Sequence, residues 1–177
     1  TAAAGVIVTG STAEALAHLR AGRSVLLDPP ADETHLPHSI QAQFTTDFWS
    51  VGTFPKQSGF MGCLVEPSHP VFRLFPTDFH TDWQWWPLCQ GRAMVLPPGY
   101  APLITGIDCY ARLRNLGLLL EVNVLGGKLM LSSMGLLGKQ QYPETQAMLS
   151  SILAYMGSKD FNPRQTLTES QLTAIVS

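Results

Sequence analysis

The chain has 177 residues, of which 45% are hydrophobic and only 14% charged. That is enough chain for one domain with a sizeable core, and the charged share falls well below the usual quarter, so much of its surface is set to be covered by itself or by neighbours. A formal net charge of -2, with no basic stripe around Lys56, Arg92 or Arg112, excludes the electrostatic footprint of nucleic-acid binding.

Val6 to Val8 reads as a short β-branched strand closed by Thr9, Gly10 and Ser11. Ser11 or Thr12 caps a following helix, with Glu14 in its first turn, Ala15, Leu16 and Leu19 at helical spacing, and Gly22 as the stop. Ser24 to Leu27 is the next strand, broken by Asp28, Pro29 and Pro30. Strand, helix and strand with short connectors predict a βαβ unit and a parallel sheet, and continuous apolar runs suit strands buried on both faces. From Pro29 to Pro55 the pattern weakens into a surface excursion with a short strand near Phe44 to Ser50. Gly59 to Val65 is apolar and glycine-rich, and Ser68 to Phe75 predicts a helical turn or two with Pro70 at its first position.

After the aromatic segment Phe79 to Trp86, Ala93 to Leu96 and Leu103 to Ile107 read as strands. Leu116 to Val124 and Lys128 to Ser132 form a hairpin, with Gly126-Gly127 as its two-residue turn. Pro143 to Tyr155 is the clearest helix, with Pro143 and Glu144 in its first turn and Ala147, Met148, Ile152 and Tyr155 along one side, ended by Gly157. Beyond it, Glu169 to Val176 is amphipathic behind a capping Thr168. This divides the chain into a domain over residues 1–157 and a tail over 158–177 with a short helix.

No apolar run is long enough to span a membrane, because those around Leu116 to Leu120 and Leu129 to Leu137 are short and broken. The N-terminus lacks the charged and apolar regions of a signal peptide and reads as an interior start. Cys63, Cys89 and Cys109 are widely spaced, three in number, and without a CxxC pair, which predicts buried free thiols in place of a disulfide framework.

The most unusual stretch runs Phe75-Pro-Thr-Asp-Phe-His-Thr-Asp-Trp-Gln-Trp-Trp86, with three of the four tryptophans in four positions. Indole faces stack on sugar C–H surfaces, and carboxylates and amides bind hydroxyls, so His80, Asp82, Trp83, Gln84, Trp85 and Trp86 are the candidate sugar-binding residues. Against this stands the ordinary use of an indole as a large core piece, which its area favours. Paired carboxylates for glycoside hydrolysis have candidates in Asp78, Asp82, Asp108 and Glu121, but nothing in their spacing is diagnostic. His35, His38, His69 and His80 show no metal-ligand spacing. There is no GxSxG elbow, and Cys63 among apolar neighbours is its nearest imitation; no phosphate-cradling glycine loop occurs either. No catalytic residue, metal or cofactor is assigned.

Asp47-Phe-Trp-Ser50, Met61-Gly62 followed by His69-Pro70, the Phe75 to Trp86 run, and Ile107-Asp108 with Arg114-Asn115-Leu-Gly117 resemble the C-terminal region of bacterial family 2 glycoside hydrolases of the β-galactosidase-like, sugar-binding kind. The resemblance covers roughly Val6 to Met156. It implies an α/β fold of the flavodoxin-like, class I glutamine amidotransferase-like type, a three-layer sandwich with a mostly parallel central sheet and a C-terminal hairpin. It further implies a parent hydrolase, periplasmic or secreted, whose catalytic glutamates sit on a separate barrel domain. The amidotransferase triad is not recognisable here. The chain is therefore expected to be a non-catalytic accessory domain that supports assembly and contacts carbohydrate in polysaccharide breakdown. Its expected partners are the other domains of the parent enzyme, carbohydrate and a second copy, with no nucleic acid and no membrane. Two alternatives stand beside this: a free-standing hydrolase or amidotransferase-like enzyme around His80, Asp82 and Asp108, and a structural oligomerisation module.

Overall fold

The computed structural model describes residues 5–44 and 59–177. The first unit is β1 (Val6–Thr9), α1 (Thr12–Arg20) and β2 (Ser24–Leu27), with β1 and β2 parallel. Ser11 is the residue that caps α1, its hydroxyl accepting from the Glu14 amide, while the Thr9 hydroxyl donates to the Glu14 carboxylate at 2.6 Å. Short strands β3 (Ser39–Gln41), β4 (Cys63–Val65), β5 (Arg92–Val95) and β6 (Ile104–Gly106) follow, then the hairpin of β7 (Leu116–Val124) and β8 (Gly127–Ser132). The helices α2 (Pro143–Met156) and α3 (Glu169–Ile175) close the described chain. Phe44 makes an isolated parallel bridge to Phe60, and the rest of the strand expected near Phe44 to Ser50 lies outside the described residues, as does the Asp47 to Ser50 run.

The strands order as β1-β2-β8-β7-β5-β3, with β6 also on β7 and β4 on β6. Among the named strands of the described residues, only β1–β2 and β2–β8 pair in parallel, whereas β7–β8, β5–β7, β6–β7, β3–β5 and β4–β6 are antiparallel. This corrects the expectation of a flavodoxin-like, amidotransferase-like sandwich with a mostly parallel sheet: the sheet is mixed, eight-stranded and served by three helices among the described residues. The physical reason lies in the connections. A parallel neighbour reached in sequence needs a crossover, normally a helix, and among the described residues only α1 joins consecutive parallel strands. From β7 onward a two-residue turn suffices, and a tight turn can only return the chain antiparallel.

That turn is Leu125-Gly126, one residue earlier than expected, with positive φ at both positions (53° and 85°). Gly127 instead pairs with Val124 inside the ladder. Its lack of a side chain serves packing, since a Cβ there would come within 2.7 Å of the Arg23 carbonyl and 2.9 Å of the Leu19 Cα.

Side chains alternate across the sheet and so feed two cores. Leu26 and Met130 join Met148, Ile152 and Tyr155 of α2 and the aromatic side chains Phe72, Phe75 and Trp85. Val25, Leu27, Leu129 and Leu131 join Ala15 and Leu19 of α1 and Leu172 and Ile175 of α3. The residues after Gly157 therefore line a core: Leu167, Leu172, Ile175 and Val176 are buried, and Asn123 of β7 bridges to Thr166. Thr168 and Gln171 close a reciprocal capping box on α3.

Candidate functional site

The aromatic segment folds as a single 3₁₀ turn, Trp83–Trp85, capped by Asp82, whose carboxylate accepts from the Gln84 amide at 3.0 Å. A 3₁₀ helix repeats every three residues, so positions 83 and 86 stand over one another while 85 faces away. The three indoles divide accordingly. Trp85 is 0% exposed, donates from Nε1 to the Thr77 hydroxyl at 2.9 Å, and meets Phe75 and Phe72 edge-on at 5.3 and 6.3 Å. Trp83 and Trp86 are 86% and 53% exposed, with their ring centroids 6.4 Å apart.

Trp86 continues the row to Phe44 at 6.4 Å, and Phe44 meets Phe60 edge-on at 5.9 Å. Beside this shelf is an open cavity of about 430 Å³, lined among the described residues by Phe44, Met61, Thr81, Asp82, Trp83 and Trp86. Of the candidate sugar-binding residues, the fold thus brings Asp82, Trp83 and Trp86 to one hollow. The other three have different places. Trp85 is core, Gln84 spends its amide on the Pro76 carbonyl at 3.0 Å, and exposed His80 packs edge-on against Phe79 with its Nδ1 3.3 Å from the Thr81 carbonyl.

Asp108 does not line this cavity. Arg114 holds both its oxygens, Nε to Oδ2 at 2.7 Å and Nη2 to Oδ1 at 2.9 Å, and the Cys109 and Arg114 amides donate to it as well. Burial alone would raise its pKa, but these donors outweigh that and hold the carboxyl below the ordinary value. Such a residue shapes a loop. It is a poor proton carrier.

Two further hollows escaped the sequence. One, of about 410 Å³, opens at the carboxyl ends of β1 and β2, where parallel strands commonly present a site. Its Asp28 is buried and accepts from the Ser132 hydroxyl at 2.6 Å and the Leu137 amide at 2.8 Å. Burial raises this carboxyl's pKa, and those bonds oppose the rise. Lys139 donates to the Pro87 carbonyl at 2.9 Å, and burial lowers its pKa. Both charged groups are engaged in holding the loop after β8.

The second hollow, about 470 Å³, includes the titratable side chains His69, Glu121, Tyr155 and Asp160. Tyr155 donates to Glu121 Oε2 at 2.7 Å, and its pKa is raised first by burial and then by that carboxylate. His69 lies edge-on to Tyr155 at 5.2 Å and accepts the Val71 amide at Nδ1, which puts the neutral ring's proton on Nε2. Burial lowers its pKa, partly offset by Glu121 and Glu66. The one available signal for this hollow was Glu121 interrupting the apolar run of β7. Among the described residues no three His, Cys, Asp or Glu side chains cluster as a metal site, and no helix is long and apolar enough to cross a membrane.

A family model, Domain of unknown function (DUF8487), matches residues 6–177. No curated protein matches the chain.

Proposed function

We propose that this chain, which belongs to the DUF8487 family of domains, serves as a non-catalytic accessory domain of a family 2 glycoside hydrolase and offers its aromatic shelf to carbohydrate. The observation that carries the reading is the split fate of the tryptophans: Trp83 and Trp86 stay exposed as an adjacent pair while Trp85 between them is fully buried. Leaving two indoles in water forgoes the large stabilisation that burial of such rings gives, which is sensible where they meet a ligand. Their faces suit the apolar C–H side of a pyranose, and Asp82 beside them is exposed and offers acceptor oxygens to sugar hydroxyls. The Asp82 cap and the Trp85 anchor fix the turn beforehand, so little ordering is needed on binding. An open shelf of two rings supports weak binding, on the order of 1 mM, about 4 kcal/mol.

The test is a titration of the folded domain with galactosides and plant-type oligosaccharides, followed by tryptophan fluorescence, with Trp83→Ala in parallel. A saturable change that disappears in Trp83→Ala is expected. Absence of any saturable change in the folded parent at tens of millimolar sugar would remove carbohydrate contact from the reading.

A further inference from the structure

Cys63 and Cys89 are both buried, and their sulfur atoms lie 3.9 Å apart. They come from the two ends of the segment that carries the shelf. Cys63 opens β4, its amide 3.5 Å from the Thr81 hydroxyl that lines the hollow. Cys89 ends the aromatic turn, its amide donating to the Trp85 carbonyl at 3.0 Å. A disulfide needs sulfurs about 2.05 Å apart, so closure asks for an approach of about 2 Å, which side-chain rotation and a small shift of a turn can supply.

We propose that Cys63 and Cys89 form an oxidation site that takes up a low-molecular-weight disulfide of the glutathione type and becomes an intramolecular disulfide, fastening the aromatic turn to β4. One thiolate attacks a sulfur of oxidised glutathione, making a mixed disulfide and releasing one glutathione thiolate. The second cysteine thiolate then attacks the protein sulfur of that mixed disulfide, forming the Cys63–Cys89 bond and releasing the second glutathione. In balance, the two cysteines lose two protons and two electrons, and one glutathione disulfide becomes two glutathione thiols. The Cys89 hydrogen bond and then burial raise the Cys63 thiol above its ordinary pKa, so reaction waits on opening of the turn and runs slowly. The bond would close a loop between positions 26 apart, containing every residue from His80 to Trp86.

The experiment incubates the full chain with oxidised glutathione, blocks remaining thiols under denaturing conditions, and reads mass and tryptic peptides. The readout involves no sugar, so it stands or falls separately from the carbohydrate reading. Trypsin cuts after Lys56, Arg73, Arg92 and Arg112, placing Cys63, Cys89 and Cys109 on three separate peptides. Expected are a mass loss of about 2 Da before blocking, peptides 57–73 and 74–92 joined, and one blocked thiol at Cys109. The same link should form in Cys109→Ser. The melting temperature should rise by roughly 5–10 °C and return on reduction. Three blocked thiols, a link through Cys109, or a stable glutathione adduct as the end product would each overturn the proposal.

Discussion

Replacing Trp85 by alanine and Trp83 by alanine removes the same side chain from positions two residues apart, yet the structure assigns the two changes very different costs. Trp85 is fully buried among Phe72 and Phe75, with its indole N–H satisfied by Thr77. Truncation there leaves a cavity and forfeits burial, about 3–5 kcal/mol, roughly a fifth or more of the 5–15 kcal/mol typical of one domain. The Thr77 hydroxyl is only partly buried and regains water, so it adds little. Trp83 is 86% exposed, and its removal should cost under about 0.5 kcal/mol. In urea, with a slope of about 2 kcal/mol per molar, Trp85→Ala should lower the midpoint by about 2 M and Trp83→Ala by less than about 0.3 M. Both curves are read by far-ultraviolet circular dichroism, which neither loss of fluorescence disturbs. Equal midpoint shifts would refute the division of the aromatic turn into an inner anchor and an outer shelf.

The hairpin offers a second paired comparison. Gly127→Ala forces a Cβ onto the Arg23 carbonyl and the Leu19 backbone and should cost about 2–3 kcal/mol, whereas Gly126→Ala meets nothing within 4 Å and pays only for its positive φ, about 1 kcal/mol; thermal unfolding should rank them in that order. Stability should also fall in mild acid because of His69. Its folded pKa is lowered, so the unfolded chain binds the proton first. The contribution is complete above the ordinary value of 6.5 and is lost as pH falls through the folded value. Protonation would also end acceptance of the Val71 amide at Nδ1. His69→Asn keeps an acceptor without a titrating ring, and its urea midpoint should change less between pH 7.5 and 5.5 than the parent's; an unchanged slope would count against His69 as the source.

Local chemistry was sufficient for the pieces the chain makes by itself. Ser11 and Glu14 opened α1, Pro143 and Gly157 bounded α2, and Thr168 capped α3, because caps and turns depend on residues three or four apart. The apolar runs at β1, β2, β7 and β8 likewise announced strands. What neighbours in sequence could not decide was how those strands align. The βαβ start suggested a mostly parallel sheet with one hairpin at its end, but direction depends on which strands meet, and β8 joins β2 parallel while returning antiparallel from β7. Gly127 shows the same limit: its spacing fitted a turn, and the close approach of Leu19 that requires it comes from a helix over a hundred residues away in the chain.

The candidate site divides along the same line. Its composition was legible, since three indoles among His80, Asp82 and Gln84 mark out the segment without any structure. Which indole faces water was not, because a single 3₁₀ turn is too short to show its three-residue period in the sequence and the core that claims Trp85 is assembled from Phe72, Phe75 and one face of the sheet. The pairing of Cys63 with Cys89 and of Tyr155 with Glu121 belongs to the tertiary structure for the same reason. Sequence sets what each short stretch prefers, and only the packing of distant stretches against one another chooses which preferences are used.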